Sequence, residues 1–140
     1  MRESSGVAQA RVVITTADFT RAVTFYRDRL GLPLIEQFDT GHGTGVILDA
    51  GRATLEILDE EHAAFVDEVE VGSRVAGTLR VAFEVADADT TTRLLADAGA
   101  AVLSPARTTP WGSVNSRLTD ADGVQLTLFT EPDEDRGPTT

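Results

Sequence analysis

Charged side chains occur inside segments of the chain that otherwise resemble β-strands. Arg11 begins the run RVVITT, Glu56 lies within TLEIL, and Arg80 lies within LRVAFEV. A guanidinium in such a position can bind a carboxylate, phenolate or carbonyl oxygen of a ligand. A carboxylate can accept or donate a proton. These three residues are therefore the first candidates for a chemical site.

The composition limits the chemistry that such a site could perform. The chain has no cysteine and no lysine, and all twelve of its basic residues are arginine. Thiolate nucleophiles, thiolate metal ligands, disulfides and lysine Schiff bases are thereby excluded. Carboxylates, two histidines, hydroxyls, arginines and aromatic side chains remain.

The net charge of −11 is concentrated in two places. Six of the 23 acidic residues lie between Asp59 and Glu70, and four lie between Glu131 and Asp135. The rest of the chain is close to neutral and has no basic stripe, which argues against nucleic-acid binding. No apolar run reaches the length of a membrane span, and the N-terminus does not resemble a signal peptide. We therefore expect a cytoplasmic protein.

One motif occurs twice along the chain. The segment RVVITTADFTRAVTFYRDRLG starts at residue 11, and RVAFEVADADTTTRLLADAG starts at residue 80. Later, LEIL around Glu56 matches LTLF around Thr127. Each copy shows the pattern of a strand, a helix and three further strands. Internal repetition of this kind indicates two copies of one βαβββ unit.

The sequence therefore predicts a single α+β domain made of two tandem βαβββ modules. Module 1 is expected at about 9–60, a linker at 61–76 and module 2 at about 77–130. A flexible N-terminus is expected at 1–8 and a disordered acidic tail at 131–140. The strands should form a curved, cup-shaped, eight-stranded sheet with the helices outside.

The helices have readable ends. Asp18 and Asp87 are placed as N-caps, and Gly31 and Gly99 are placed to end the two helices. Apolar residues recur at helical spacing and are expected in the core. They are Ala22, Phe25, Tyr26 and Leu30 in the first helix, and Leu94, Leu95 and Ala98 in the second.

Alternation along the strands predicts two different faces of the sheet. One face is wholly apolar: Val12, Ile14, Leu55, Ile57, Val81, Phe83, Val85, Leu126 and Leu128. The other is mixed: Arg11, Val13, Thr15, Thr54, Glu56, Leu58, Arg80, Ala82, Glu84, Gln125, Thr127 and Phe129. If the apolar face packs under the helices, the polar face must look into solvent or into a cavity.

Three segments carry a resemblance to a known family. TADFTRAVTFYRDRLG, the later TDADG and the PWG at 110–112 resemble the vicinal oxygen chelate superfamily. That superfamily includes glyoxalases, bleomycin-resistance proteins, fosfomycin-modifying enzymes and extradiol dioxygenases. The likeness covers roughly residues 8–130 and implies the fold described above, but it leaves the reaction open.

The resemblance also implies where a metal would bind. Metal-using members place ligands on the first and last strands of each module, at positions that correspond here to Arg11, Glu56, Arg80 and Thr127. Only Glu56 is a good metal ligand. His42, in TGHGTG, and His62, in the acidic segment, lie away from these strand positions. We therefore predict that the chain binds no metal and uses no cofactor.

The family geometry would bring Arg11, Glu56 and Arg80 together at the floor of the cup, with Thr127 beside them. Two interpretations stay open. The three charges could form an Arg–Glu–Arg cluster that only offsets its own desolvation. Alternatively, one guanidinium stays partly free to bind a ligand.

Aromatic residues are candidates for the rim of the cup. Trp111 lies in the loop SPARTTPWGSVN, expected between the third and fourth strands of the second copy. Phe38 on the second strand and Phe129 on the polar face could stack on a flat ligand, whereas Tyr26 is expected in the core. We therefore predict ligand contacts by Arg11, Phe38, Glu56, Arg80, Trp111, Thr127 and Phe129.

Two further segments have simpler explanations. GHGTG lacks the lysine and the strand-then-helix setting of a phosphate-binding loop, so it predicts a hairpin turn. The acidic segment from Asp59 to Glu70 is expected to be a solvated connection between the modules, which could also face cationic drugs.

Three functions are compatible with these features. The leading hypothesis is a metal-free protein of the bleomycin-resistance type that sequesters an aromatic small molecule such as an antibiotic. The alternative is a metal-independent lyase, isomerase or dioxygenase-like enzyme with Glu56 as acid or base. A ligand-sensing or interaction module is the third.

The resemblance also implies a homodimer, since open sheet edges are usually covered by a second subunit. The sequence does not show whether the cup forms within one chain or across a dimer.

Overall fold

A computed structural model describes residues 6–132 of the chain. The expected flexible N-terminus at 1–8 and acidic tail at 131–140 fall mostly outside these residues. Within them, the first strand already begins at Val7, so part of the expected N-terminal segment belongs to the sheet. No helix in residues 6–132 is long and apolar enough to cross a membrane.

Each module contains four strands and one helix, and a further helix joins the modules. Module 1 consists of β1 (Val7–Thr16), α1 (Phe19–Val23) continued by a π-helix (Thr24–Arg29), β2 (Leu34–Asp39), β3 (Thr44–Asp49) and β4 (Thr54–Asp59). The joining helix is α2 (Glu60–Glu70). Module 2 consists of β5 (Leu79–Val85), α3 (Ala88–Asp97), β6 (Ala101–Thr108), β7 (Val114–Thr119) and β8 (Gln125–Thr130).

All eight strands form one sheet in the order β2-β3-β4-β1-β5-β8-β7-β6. β1 and β5 pair antiparallel at the centre, and β4 and β8 run parallel to the first strand of their own module. The outer strands pair antiparallel with their neighbours, and β2 and β6 lie at the two edges of the sheet. Both modules of one chain therefore share a single open sheet, and the predicted double βαβββ fold is confirmed.

The predicted starts and ends of the helices are also confirmed. The Asp18 carboxylate accepts a hydrogen bond from the Arg21 N–H at 3.1 Å, and Asp87 accepts one from Thr90 at 3.1 Å. Gly31 and Gly99 follow the helices with φ of +91° and +110°, a conformation that glycine adopts without a Cβ clash.

The apolar face of the sheet packs under α1 and α3, as the alternation predicts. Val23 of α1 lies in a cluster with residues of β3 and β4, and Tyr26 packs against it. Ala88 of α3 lies in a second cluster with Val85, and Leu95 packs there.

Four of the expected helix-core positions lie at the surface instead. Phe25, Leu30 and Leu94 are 58%, 62% and 66% exposed, and Ala98, the C-cap of α3, is exposed as well. In the first helix the cause is the π-helical stretch, in which the Leu30 N–H donates to the Phe25 carbonyl oxygen. This i→i+5 bond widens the turn and changes which side chains face the sheet. In α3, Leu95 takes the inner position and Leu94 the outer one.

The acidic segment is not a solvated connection, and that expectation is wrong. It forms α2, which buries His62, Ala63, Val66, Asp67 and Glu70. These residues recur at helical spacing, so they share one face. Of the other acids of the segment, Glu60, Glu61 and Glu68 are exposed, and Asp59 is half-buried as the N-cap of α2. The high density of acidic residues therefore suggested a solvated segment where the chain forms an amphipathic helix.

α2 packs on the polar, concave face of the sheet. Ala63 of α2 lies in a small apolar cluster with Val13, Leu58, Ala82 and Phe129, against which Phe38 packs. The helix covers part of the cup and leaves the remainder as a cavity.

Candidate ligand-binding site

The concave face of the sheet and α2 enclose a cavity of about 580 Å³. A volume of this size suits a small-molecule ligand. All seven residues predicted from the sequence line it, namely Arg11, Phe38, Glu56, Arg80, Trp111, Thr127 and Phe129. The structure thus brings the candidates together, and ligand contact by them stays a prediction.

The module 1 side of the floor carries an arginine held by several partners. The Arg11 Nη1 lies 3.9 Å from Glu56 Oε1, and its Nε donates to Thr54 Oγ1 at 3.2 Å. Arg11 also donates to Gln9 Oε1, and its guanidinium lies 5.0 Å from the centre of the Phe129 ring. The charges of Arg11 and Glu56 therefore offset each other on this side.

The module 2 side carries an arginine that has one hydrogen-bond partner within residues 6–132. The Arg80 Nη1 donates to Thr127 Oγ1 at 2.9 Å. No carboxylate oxygen in residues 6–132 forms a salt bridge with Arg80, although the side chain is only 7% exposed. Of the two interpretations left open by the sequence, an Arg–Glu–Arg cluster is not formed as such: Arg11 and Glu56 pair, and Arg80 lies beside them without a salt bridge to a described carboxylate.

The electrostatic surroundings of Arg80 are mixed. Burial lowers the pKa of its guanidinium, since a charged group loses hydration there. The carboxylates of Glu70 and Glu56 act against this shift, whereas the charge of Arg117 adds to it. Arg80 is thus a buried cation supported by acids at longer range.

A buried network beside the floor was not predicted. Arg117 is fully buried and donates from Nη2 to Glu70 Oε1 at 2.7 Å and from Nη1 to Asp67 Oδ1 at 3.0 Å. Its Nε also donates to Thr127 Oγ1 at 3.1 Å, and Asn115 Nδ2 donates to Glu70 Oε2 at 2.7 Å. The available signals were the i, i+3 spacing of the two acids in α2 and the shared strand face of Asn115 and Arg117.

Asp67 fixes the chain just after α2. Its Oδ2 accepts the backbone N–H groups of Val75 and Ala76 at 2.8 and 2.7 Å, and Arg74 donates to the same oxygen. Burial raises the pKa of Asp67, but these backbone donors together with Arg117 outweigh it and hold the pKa below its usual value. The carboxylate thus ties α2 to module 2.

An aromatic wall stands above the floor. The rings of His42 and Phe65 stack with centres 4.0 Å apart, and Phe65 lies 6.2 Å from Trp111. Phe38 lies 5.0 Å from His62. Both histidines lie away from the strand positions, as expected, yet both line the cavity. Their role in this wall was not predicted.

Two loops position this wall. GHGTG joins β2 to β3 as the predicted hairpin turn, and a Cβ at Gly45 would collide with the Phe38 ring. Trp111, which is 45% exposed, lies between β6 and β7. That connection, residues 109–113, joins the second and third strands of module 2. The loop was predicted one connection later, between the third and fourth strands.

Two paired βαβββ modules with one cavity on the concave face of a shared sheet define the structural class. A family model described as Glyoxalase/Bleomycin resistance protein/Dioxygenase superfamily matches residues 8–128. The chain therefore belongs to this superfamily, and the resemblance found in the sequence is confirmed. A comparison with curated proteins finds no match.

Solved structures share the fold. Methylmalonyl-CoA epimerase from Mycobacterium tuberculosis has a TM-score of 0.68 and 22% identity, covering 99% of this chain and 97% of that one. A variant of the Streptomyces coelicolor methylmalonyl-CoA epimerase, with bound 2-nitronate-propionyl-CoA, has a TM-score of 0.62 and 25% identity, covering 88% and 93%. A superfamily member from Vibrio splendidus has a TM-score of 0.63 and 10% identity, covering 88% and 98%.

The residues at the superfamily's metal positions do not fit a metal. Arg11 and Arg80 offer no lone pair, and the Thr127 hydroxyl already accepts hydrogen bonds from Arg80 and Arg117. Glu56 alone remains as a ligand. In the part of the chain that the structure describes, no three His, Asp or Glu side chains form a cluster that could hold a metal ion.

Proposed function

We propose that this protein binds a flat aromatic small molecule in the cavity and sequesters it unchanged, in the manner of an antibiotic self-resistance protein. The observation that carries the proposal is the pairing of the aromatic wall, which includes Phe38, Phe65 and Trp111, with a polar floor. Aromatic rings give a flat ligand a large contact area at small entropic cost. The polar floor can then fix its orientation.

A second candidate function is metal-independent acid–base catalysis. Glu56 accepts no hydrogen bond from any described residue, and its nearest cationic atom is the Arg11 nitrogen at 3.9 Å. Its carboxylate therefore remains available to a ligand. The other carboxylate beside the floor, Glu70, is held by Arg117 and Asn115. The solved structures of similar fold include methylmalonyl-CoA epimerases. Inversion of a carbon centre through loss and return of its proton needs a base, and Glu56 is the candidate base for such a step.

Binding is tested by following the fluorescence of Trp111, the only tryptophan, during titration with a panel of flat aromatic compounds that includes antibiotics. Binding should quench the emission or shift its wavelength. Trp111→Ala should weaken binding at least about tenfold by calorimetry, with little loss of stability. Phe25→Ala is the matched control, since Phe25 is exposed and lies outside the cavity. Unchanged emission together with full affinity of Trp111→Ala would place the site elsewhere.

The same samples separate the two functions. After incubation, sequestration returns the compound chemically unchanged, whereas catalysis converts it. If conversion is seen, Glu56→Gln should abolish it, since the amide cannot act as a base. Retained turnover in Glu56→Gln would exclude Glu56 from that role.

We also propose that the protein is a homodimer. The edge strands β2 and β6 expose apolar side chains, including Leu34, Ile35, Val102 and Leu103. Exposed strand edges with apolar residues favour pairing with another chain. Sedimentation should therefore give about twice the chain mass of 14.9 kDa, and a compact 14.9 kDa species at micromolar concentration would contradict the proposal. The cytoplasmic location stays a prediction.

A further inference from the structure

Arg80 uses only a small part of its hydrogen-bonding capacity within the protein. A guanidinium carries five N–H donors on three nitrogens. In residues 6–132 the only hydrogen bond that Arg80 donates runs from Nη1 to Thr127 Oγ1, at 2.9 Å. Its Nε and Nη2 therefore have no partner among those residues.

These two nitrogens retain some access to the cavity. No fully buried side-chain nitrogen or oxygen in the described part of the chain lacks a hydrogen-bond partner. Arg80 is 7% exposed and lines the cavity, so the access that its Nε and Nη2 retain is through the cavity. The Nε–Nη2 edge presents two parallel N–H donors and is one of the edges on which a guanidinium binds both oxygens of one carboxylate.

The acids nearby do not pair with Arg80. Glu56 lies beside Arg11, and Glu70 accepts hydrogen bonds from both Arg117 and Asn115. Asp67 binds Arg117, Arg74 and two backbone N–H groups. None of these three carboxylates forms a salt bridge with Arg80. A buried cation without a close counter-ion is costly unless something else supplies the negative charge.

We propose that Arg80 forms an anion subsite at the floor of the cavity and takes the carboxylate group of an aromatic acid. The two carboxylate oxygens accept hydrogen bonds from Nε and Nη2, while the ring lies against the aromatic wall. This inference rests on the proposed binding function and adds the chemical class of the ligand. A neutral aromatic compound leaves Arg80 unpaired and therefore binds less tightly.

The test compares two probes of nearly identical shape, 2-naphthoate and the neutral 2-naphthamide, by titration calorimetry with the full chain. The wild-type protein should bind 2-naphthoate at least about tenfold more tightly, since hydrogen bonds to charged groups are stronger. Arg80→Gln should reduce this preference to within about twofold, mainly by weakening 2-naphthoate binding. Arg52→Gln, which removes the same charge from an exposed loop, is the matched control and should keep the preference.

Circular dichroism and thermal melting establish that each variant is folded. If Arg80→Gln does not fold, Arg80→Lys is measured instead. Lysine keeps the charge but cannot form the bidentate hydrogen bonds of a guanidinium, so the preference for 2-naphthoate should fall to about threefold.

The outcomes separate this inference from the proposed function. Equal affinity of the wild-type protein for both probes would overturn the anion subsite and leave aromatic binding standing. A preference that survives in Arg80→Gln would place the anion elsewhere and also overturn the subsite. Failure of both probes and of every other flat aromatic compound to bind would overturn the proposed function itself.

Discussion

The two modules present the same strand positions to the cavity floor but fill them differently. In module 1 the first and last strands carry Arg11 and Glu56, whose side chains lie 3.9 Å apart. In module 2 the equivalent strands carry Arg80 and Thr127, joined by a neutral hydroxyl hydrogen bond. Module 1 therefore contributes a balanced pair to the floor, and module 2 contributes a cation.

The neighbouring strands extend this difference. Ile47 on β3 stands opposite Glu56, whereas Arg117 on β7 stands opposite Thr127. The extra charge of Arg117 is met by Asp67 and Glu70 of α2. No helix follows β8 within the described residues, so α2 has no counterpart there. The duplicated framework supplies two similar halves. The acids of α2 allow one of them, module 2, to hold buried cations at the floor.

The largest expected effect comes from breaking the module 2 network. Arg117→Met should leave Asp67 buried with fewer partners and Glu70 held mainly by Asn115, and should lower the free energy of unfolding by about 3–5 kcal/mol. The corresponding change in module 1, Arg11→Met, breaks a looser and partly exposed pair and should cost about 1 kcal/mol. Urea denaturation measures both. Equal losses in the two variants would show that the difference between the modules does not affect the free energy of unfolding.

A second expected effect is on the pH dependence of stability. The pKa of Asp67 is depressed in the folded protein, so its carboxylate stabilises the fold above the unfolded pKa of about 4. This stabilisation should be lost as the pH falls below about 4, toward the depressed folded pKa. Asp67→Asn should be less stable at pH 7 and should lack that part of the acid-induced loss. Denaturation curves between pH 7 and pH 2 measure the effect, with Asp49→Asn on the surface as control. Parallel curves for wild type and Asp67→Asn would contradict the assignment.

The smallest expected effect comes from making module 1 resemble module 2. Glu56→Thr releases Arg11 from its counter-ion and adds a second available cation at the floor. We expect 2-naphthoate to bind about threefold more tightly, with little change for 2-naphthamide. Calorimetry measures both affinities. Weaker binding of 2-naphthoate would show that Glu56 itself contacts the ligand.

The sequence was sufficient for the framework because the framework depends on local patterns. The repeat predicted two modules, Asp18 and Asp87 predicted the helix starts, and strand alternation predicted which face would carry Arg11, Glu56 and Arg80. These features follow from capping chemistry and from the period of two along a strand.

The parts that were missed depend on contacts between distant segments. α2 was not predicted because the six acids of its segment suggested a solvated connection. Some of these acids lie on the buried face of the helix, and only their contact with Arg117, from a distant part of the chain, explains that placement. The π-helical stretch that turns Phe25 outward has no marker in the residue pattern. The histidines joined the aromatic wall only because α2 lies over the β2–β3 turn, where the His62 Nδ1 lies 2.9 Å from the His42 carbonyl oxygen.

A crystal structure of the protein with 2-naphthoate tests the central claim most directly. We expect the naphthalene ring to lie against Phe38, Phe65 and Trp111, with both carboxylate oxygens within hydrogen-bonding distance of the Nε and Nη2 atoms of Arg80. A ligand bound on the outer face of the sheet, or one in the cavity with its carboxylate directed away from Arg80, would contradict the account.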